Sequence, residues 1–257
     1  MVSDTATLII DDEIMVNAGP DQTICLGDGA QLGDTTVPFV SYTWTPGTGL
    51  NNPNISDPSA NPSTPGVYTY IVNGIDTNQC TGADTMQLTV TQLPNANFTA
   101  PVNICVGLNG SVTYTGNAPG NATYTWNFGG ATVVSGSGQG PYQVNWASSG
   151  PVYITLQVGD NGCISELDSF LVNVTVPPTL TLAGSNVLCF GQPEGAVTSS
   201  LVNGTPGFSY LWSNGAVTPN LNGVVAGTYT VTVTDGVGCT DVASVTLTQP
   251  TALTNSL

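Results

Sequence analysis

The chain has 257 residues and carries 16 acidic side chains but no Lys, Arg or His. No salt bridge between side chains can form, no side chain can clamp a phosphate, and nucleic acid or an anionic membrane surface is repelled. A Ser or Cys nucleophile lacks its usual activating base, so of the common catalytic designs only a carboxylate pair of the glycosidase type stays open, and no constellation supports one.

Residues 1–10 read as a β-strand. Asp4 is followed by Ala6, Leu8 and Ile10, the same pattern as Asp84 with Met86, Leu88 and Val90, and Asp168 with Phe170, Val172 and Val174. The interval from each of these aspartates to the next cysteine is identical, twenty-one residues, to Cys25, Cys105 and Cys189. The first ten residues are therefore expected to be the last strand of a preceding domain, the alternative being a strand donated to a neighbouring subunit. Asp11, Asp12 and Glu13 follow at a joint. With Asp21 on the next loop they form the one candidate metal site, a set of hard oxygens suited to Ca2+; the competing reading is a solvated acidic turn. No cofactor is otherwise required.

Three repeats come next, at 11–92, 93–176 and 177–250, and 251–257 resembles the entry to the third, as the start of a following domain. Each repeat holds a Trp-bearing strand: Val40 to Trp44, Tyr124 to Trp126, and Phe208 to Trp212. Each then has a longer strand ending in a turn aspartate. Apolar residues alternate before it, at Tyr70 and Val72 before Asp76, at Ile154, Leu156 and Val158 before Asp160, and at Tyr229, Val231 and Val233 before Asp235. A period of two marks strands with one buried face. The aspartates are expected to close the turns through short side chains that accept backbone hydrogen bonds. Prolines at Pro94, Pro177, Pro178 and Pro250 stiffen the joints. Short strands with frequent turn signals give an all-β class of tandem Ig-like antiparallel β-sandwiches in an extended array.

Each repeat brings two cysteines, and small domains often need a covalent staple. The spacing predicts three bridges within repeats, Cys25–Cys80, Cys105–Cys163 and Cys189–Cys239, each closing a loop of about 50–60 residues and contributing roughly 4 kcal/mol in the chain-entropy model. No C-x-x-C pair points to zinc, so disulfides and an oxidising, extracellular setting are expected. The bridge should tie two loops at one pole of the sandwich.

Trp44, Trp126 and Trp212 occupy equivalent positions and are expected in the core. Trp146 is an extra tryptophan. Either it pads the sandwich under a loop, or with Tyr142 it builds an aromatic platform for a glycan.

Cys189-Phe190-Gly191, Gly204-Thr205-Pro206, Tyr210 to Gly215 and Ala226 to Asp235 resemble an SprB repeat, the module of gliding-motility adhesins exported by type IX secretion. The second repeat is similar to PKD domains through Tyr124 to Gly130, although Asn127 and Gly130 stand where that family usually has acidic residues. The first repeat, through Ala18 to Cys25 and Trp44-Thr45-Pro46, looks like the Ig-like domains of the same giant surface proteins. The resemblance implies a long secreted chain at the bacterial cell surface. Its expected role is a disulfide-stapled stalk in adhesion, with the neighbouring domains of the same chain as first partners. The alternatives are a homo-oligomeric appendage whose repeats form the wall, and a module that binds a glycan or calcium. Membrane insertion is not expected, since no apolar run approaches the length of a span.

Overall fold

The structure is a computed structural model that describes residues 14–34 and 36–253. The expected strand at 1–10 and the acidic cluster Asp11, Asp12 and Glu13 lie outside the described residues. The architecture is all-β, several antiparallel sheets forming tandem sandwich-like domains, and among the described residues there is no helix. Two compact units are formed: one takes the chain up to Asn95 with 117–123 and 158–166, the other takes 96–116, 124–157 and 167 onward.

In the first unit, β1 (Gln22–Cys25), β2 (Ala30–Gln31), β3 (Val40–Thr45), β4 (Ser59–Ala60), β5 (Gly66–Asp76) and β6 (Thr81–Thr91) follow in order. They make a sheet of order β1-β6-β5-β3 facing a short β2-β4 ladder. Alternation decides which side chains enter: Tyr70 and Val72 of β5 and Met86, Leu88 and Val90 of β6 join Leu32, Tyr42 and Trp44 in one core. Gly74 continues the buried row of β5 without a side chain because Val16 and Val40 fill the space a Cβ would need. β1 runs parallel to β6, with Ile24 opposite Val90 and Cys25 opposite Thr91.

The second repeat supplies β7 (Phe98–Thr99), β8 (Asn103–Cys105), β9 (Asn109–Tyr114), β10 (Thr123–Asn127), β11 (Thr132–Ser135), β12 (Tyr142–Asn145), β13 (Gly150–Asp160), β14 (Cys163–Ile164) and β15 (Asp168–Thr175). One sheet is ordered β10-β13-β15-β8, the other β11-β12-β9-β7. Here too the strand that carries the first cysteine pairs parallel with the last, Cys105 of β8 opposite Thr175 of β15.

The third repeat has β16 (Thr179–Ser185), β17 (Gly195–Val202), β18 (Ser209–Trp212), β19 (Leu221–Val224), β20 (Gly227–Thr234) and β21 (Thr240–Leu247). Sheets β16-β17-β19 and β18-β20-β21 enclose Leu180, Val197, Trp212, Leu221, Tyr229, Val231, Val233 and Leu247. The expected alternation of β20 is seen, with Tyr229, Val231 and Val233 inside and threonines between them.

Candidate functional site

The features that recur in every repeat are its two cysteine turns, and their chemistry starts from local sequence. After each first cysteine comes the triplet Cys-x-Gly. Gly27, Gly107 and Gly191 have φ of 101°, 84° and 73°, a region that favours glycine. The turn is closed when the cysteine carbonyl accepts from the residue three on, Asp28 to Cys25 at 2.9 Å, Leu108 to Cys105 at 3.1 Å and Gln192 to Cys189 at 3.2 Å. Glycine at the third turn position with φ above zero is the signature of a type II turn. In the first two repeats this turn ends the strand that carries the cysteine, β1 at Cys25 and β8 at Cys105.

The second cysteine follows the turn aspartate. Asp76 Oδ1 accepts from the backbone N–H of Asn78 and of Cys80, both at 2.8 Å. Asp235 Oδ1 does the same for Val237 at 3.0 Å and Cys239 at 2.8 Å, while its Oδ2 accepts from Thr205 N at 2.9 Å. The residues before these cysteines, Gln79 (φ 69°) and Gly238 (φ 93°), are left-handed, as a three-residue hairpin loop requires. The middle repeat shortens the loop by one residue. Asp160 pairs directly with Cys163 across Asn161-Gly162, both with positive φ, a two-residue hairpin turn. The expectation that these aspartates form turns holds for Asp76 and Asp235 through their carboxylates.

Asp235 is only 4% exposed. Burial opposes its charge, but backbone N–H groups of Thr205, Cys239, Val237 and Gly238 outweigh that cost and hold its carboxyl below the usual aspartate value.

The bridges join different repeats. Cys25 is bonded to Cys163, with Cα atoms 5.6 Å apart, and Cys105 to Cys239, at 5.7 Å. Each first cysteine is therefore tied to the second cysteine of the following repeat, and the pairings Cys25–Cys80, Cys105–Cys163 and Cys189–Cys239 expected from spacing are corrected. Strand geometry gives the reason. Cys80 stands just before β6, whereas Cys25 is in register with Thr91 at the far end of that strand. Eleven residues at about 3.3 Å each separate them by roughly 35 Å, against about 6 Å for a disulfide. In the third repeat Cys239 precedes β21, and Cys189 lies two residues beyond Val187, whose N–H donates to Thr248 O past the other end of β21. Cys80 and Cys189 are outside both bridges; Cys189 is exposed.

The bridged sulfurs are well covered. Cys163 and Cys239 are buried, as is Cys105. The Thr175 hydroxyl sits 3.2 Å from Cys239 Sγ, so the register partner of Cys105 also touches its disulfide partner. Thr91, Thr175, Gly27 and Gly107 were not singled out by sequence reasoning, and Gly191 only as part of the SprB-like motif; the triplet's threefold recurrence was the available signal.

The other candidate residues fall elsewhere. Asp21 is described, and its Oδ1 accepts from Gln87 N at 2.7 Å. Among the described residues no group of three or more Cys, Asp or Glu gathers to hold a metal. The aromatic platform is corrected: Tyr142 is 8% and Trp146 3% exposed. Their polar ends are committed to the backbone, Tyr142 Oη to Gly138 O at 3.0 Å and Trp146 Nε1 to Phe128 O at 3.0 Å. Burial pushes the Tyr142 phenol above its ordinary value. A ring inside the core has no face left for a sugar.

Trp44 and Trp212 are core residues as expected, with indole N–H groups bonded to Ile55 O at 2.9 Å and Thr218 O at 2.8 Å. Trp126 is only half-buried, stacked on Phe128 and edge-on to Phe98 and Tyr142. In that repeat Trp146 takes the interior position.

These features define a class: tandem sandwich-like all-β domains carrying disulfides. In sequence, the model of the SprB repeat matches residues 181–217. The chain matches no curated protein. Among solved structures it is similar to the I-band fragment I67–I69 from titin, at 13% identity and a TM-score of 0.47, covering 90% of this chain and 96% of that one. The N-terminal eight Ig domains of Down Syndrome Cell Adhesion Molecule isoform 1.30.30 match at 14% identity and TM-score 0.44, over 91% of this chain and 41% of that one. Drosophila OTK extracellular domains 3–5 match at 12% identity and TM-score 0.35, over 93% and 97%. Likeness at this level carries no functional information.

Proposed function

We propose that the chain is a load-bearing stretch of a long extracellular array on a bacterial cell surface, of the kind built from SprB repeats and exported by type IX secretion for adhesion or gliding. The observation that carries this reading is the linkage of consecutive repeats by Cys25–Cys163 and Cys105–Cys239. A bridge inside one domain would stabilise that domain alone, whereas a bridge between repeats resists their separation, which is what a stalk under tension needs. Disulfides persist in oxidising compartments, which supports export. No helix among the described residues is long and apolar enough to cross a membrane. A net charge of −16 with no Lys, Arg or His opposes collapse of one segment onto another.

A second reading has one observation behind it. β11 is an outer strand of its sheet, all four of its residues are exposed, and Val133 and Val134 carry no charge to discourage pairing. Side-by-side assembly of copies through that edge would make the repeats the wall of an appendage. Electron microscopy of the native protein separates the two. Single beaded threads are expected; a tube of fixed symmetry would overturn the stalk reading in favour of the wall.

A further inference from the structure

The two bridges follow one rule, and the rule leaves one turn of the first kind over. Cys189 sits in the same Cys-x-Gly turn as Cys25 and Cys105, held by the same Gln192 N to Cys189 O bond. It too lies beyond the last strand, three residues further out: Leu26 N and Val106 N, each one after its cysteine, donate to Thr91 O and Thr175 O, whereas Val187 N, two before Cys189, donates to Thr248 O, and Gly191 N donates to Gln249 Oε1 at 2.8 Å. Its surroundings differ. Ile24 and Leu26 beside Cys25, and Ile104 and Val106 beside Cys105, are half-buried. Leu188 and Phe190 beside Cys189 are 82% and 54% exposed. With Pro250, Ala252 and Leu253 they line an apolar depression around the thiol. A polar rim would suffice for a turn that only faces water.

We infer that Cys189 forms a disulfide with the turn cysteine of a further repeat that follows in the same array, seated on this depression. The inference rests on the array reading above and names the partner of its C-terminal end. The partner is defined by its chemistry, a β-hairpin whose aspartate is followed after three or four residues by a cysteine, as in Asp160 to Cys163 and Asp235 to Cys239. Both of those cysteines are buried at their bridges. The step balances by thiol–disulfide exchange with an external protein or small-molecule disulfide as oxidant. The Cys189 thiolate attacks that disulfide, the turn cysteine's thiolate then displaces the carrier from Cys189, and two thiols plus one disulfide become one new disulfide plus two thiols.

The absence of Lys and Arg defeats trypsin, but the aspartates give a clean map. Cutting before each aspartate without reduction puts every cysteine on its own peptide, with Cys25 on 21–27, Cys80 on 76–83, Cys105 on 84–159, Cys163 on 160–167, Cys189 on 168–234 and Cys239 on 235–240. Applied to thiol-blocked protein taken from the native cell surface, the digest should link 168–234 to a cysteine peptide from beyond residue 257, in the same yield as 21–27 with 160–167. A Cys189→Ser chain should then show one newly alkylatable thiol in the following repeat. Recovery of 168–234 in alkylated form, beside peptides from beyond residue 257, overturns the bridge and leaves the array reading standing. Native protein that yields no such peptides overturns both. Linkage of 168–234 to 76–83 of another molecule overturns the following repeat as partner and puts a second copy in its place.

Discussion

Replacing Cys105 and Cys239 together by alanine removes a bridge that spans 134 residues. In the chain-entropy model the unfolded chain then recovers the freedom of a loop of that length, which lowers stability by about 5 kcal/mol at 25 °C. The native side loses little, because Cys105 and Cys239 are already buried and alanine fills most of the volume. If the chain unfolds cooperatively, that corresponds to a fall of about 10–20 °C in melting temperature. Cys189→Ala is the control. It lies in no bridge of this chain, so its substitution should change stability by less than about 0.5 kcal/mol. Urea denaturation followed by tryptophan fluorescence reads both variants against the parent. A pairing of Cys189 with Cys239 would instead make Cys189→Ala cost roughly 4 kcal/mol, and that outcome, or an unchanged midpoint for the double variant, refutes the reasoning.

Asp235 makes the third repeat acid-sensitive. Its folded carboxyl titrates below the ordinary value, so the unfolded state binds more protons as pH falls past about 4; the contribution is complete above that and fades as pH drops through the folded value. Asp235→Asn should flatten this part of a stability profile measured between pH 2 and 6. Gly236→Ala places a Cβ against the Pro206 carbonyl and should destabilise the same turn by about 1–3 kcal/mol, seen as a lower urea midpoint. Trp146→Ala should cost about 3–5 kcal/mol as a core cavity. The milder Trp146→Phe should leave any signal on a glycan array unchanged, and a selective loss of binding would reinstate the aromatic platform.

Much of the fold is legible from period-two alternation. The rows ending at Val72, Val158 and Val233 name their own buried faces, since one missed register would turn each row into water. The turn aspartates are readable for the same local reason. Bridge partners are not, because they depend on which end of the sandwich each first cysteine occupies. That end is set by parallel pairing of the strand that carries the first cysteine with the last strand, Cys25 beside Thr91 and Cys105 beside Thr175, a long-range choice that leaves no periodic trace. Similar intervals between cysteines suggested a local loop, and an eleven-residue strand lying between them ruled it out. Trp126 and Trp146 exchange roles for a related reason: alignment places Trp126 with Trp44 and Trp212, but only packing reveals that Trp146 has taken the interior site.

The two bridges interlock, since Cys105 lies between Cys25 and Cys163, and Cys163 between Cys105 and Cys239. Treated as a network, the bonded pairs are two knots joined by three separate lengths of chain, 25–105, 105–163 and 163–239. A protease that nicks one length, for instance in the loop between Pro53 and Pro65, leaves the two ends of the chain covalently joined, and so does a second nick in another length. Severing the strand requires cuts in all three. Pulled to full unfolding, the region between the knots pays out only its shortest member, about 58 residues or roughly 200 Å, while the other two hang slack as reserve cables.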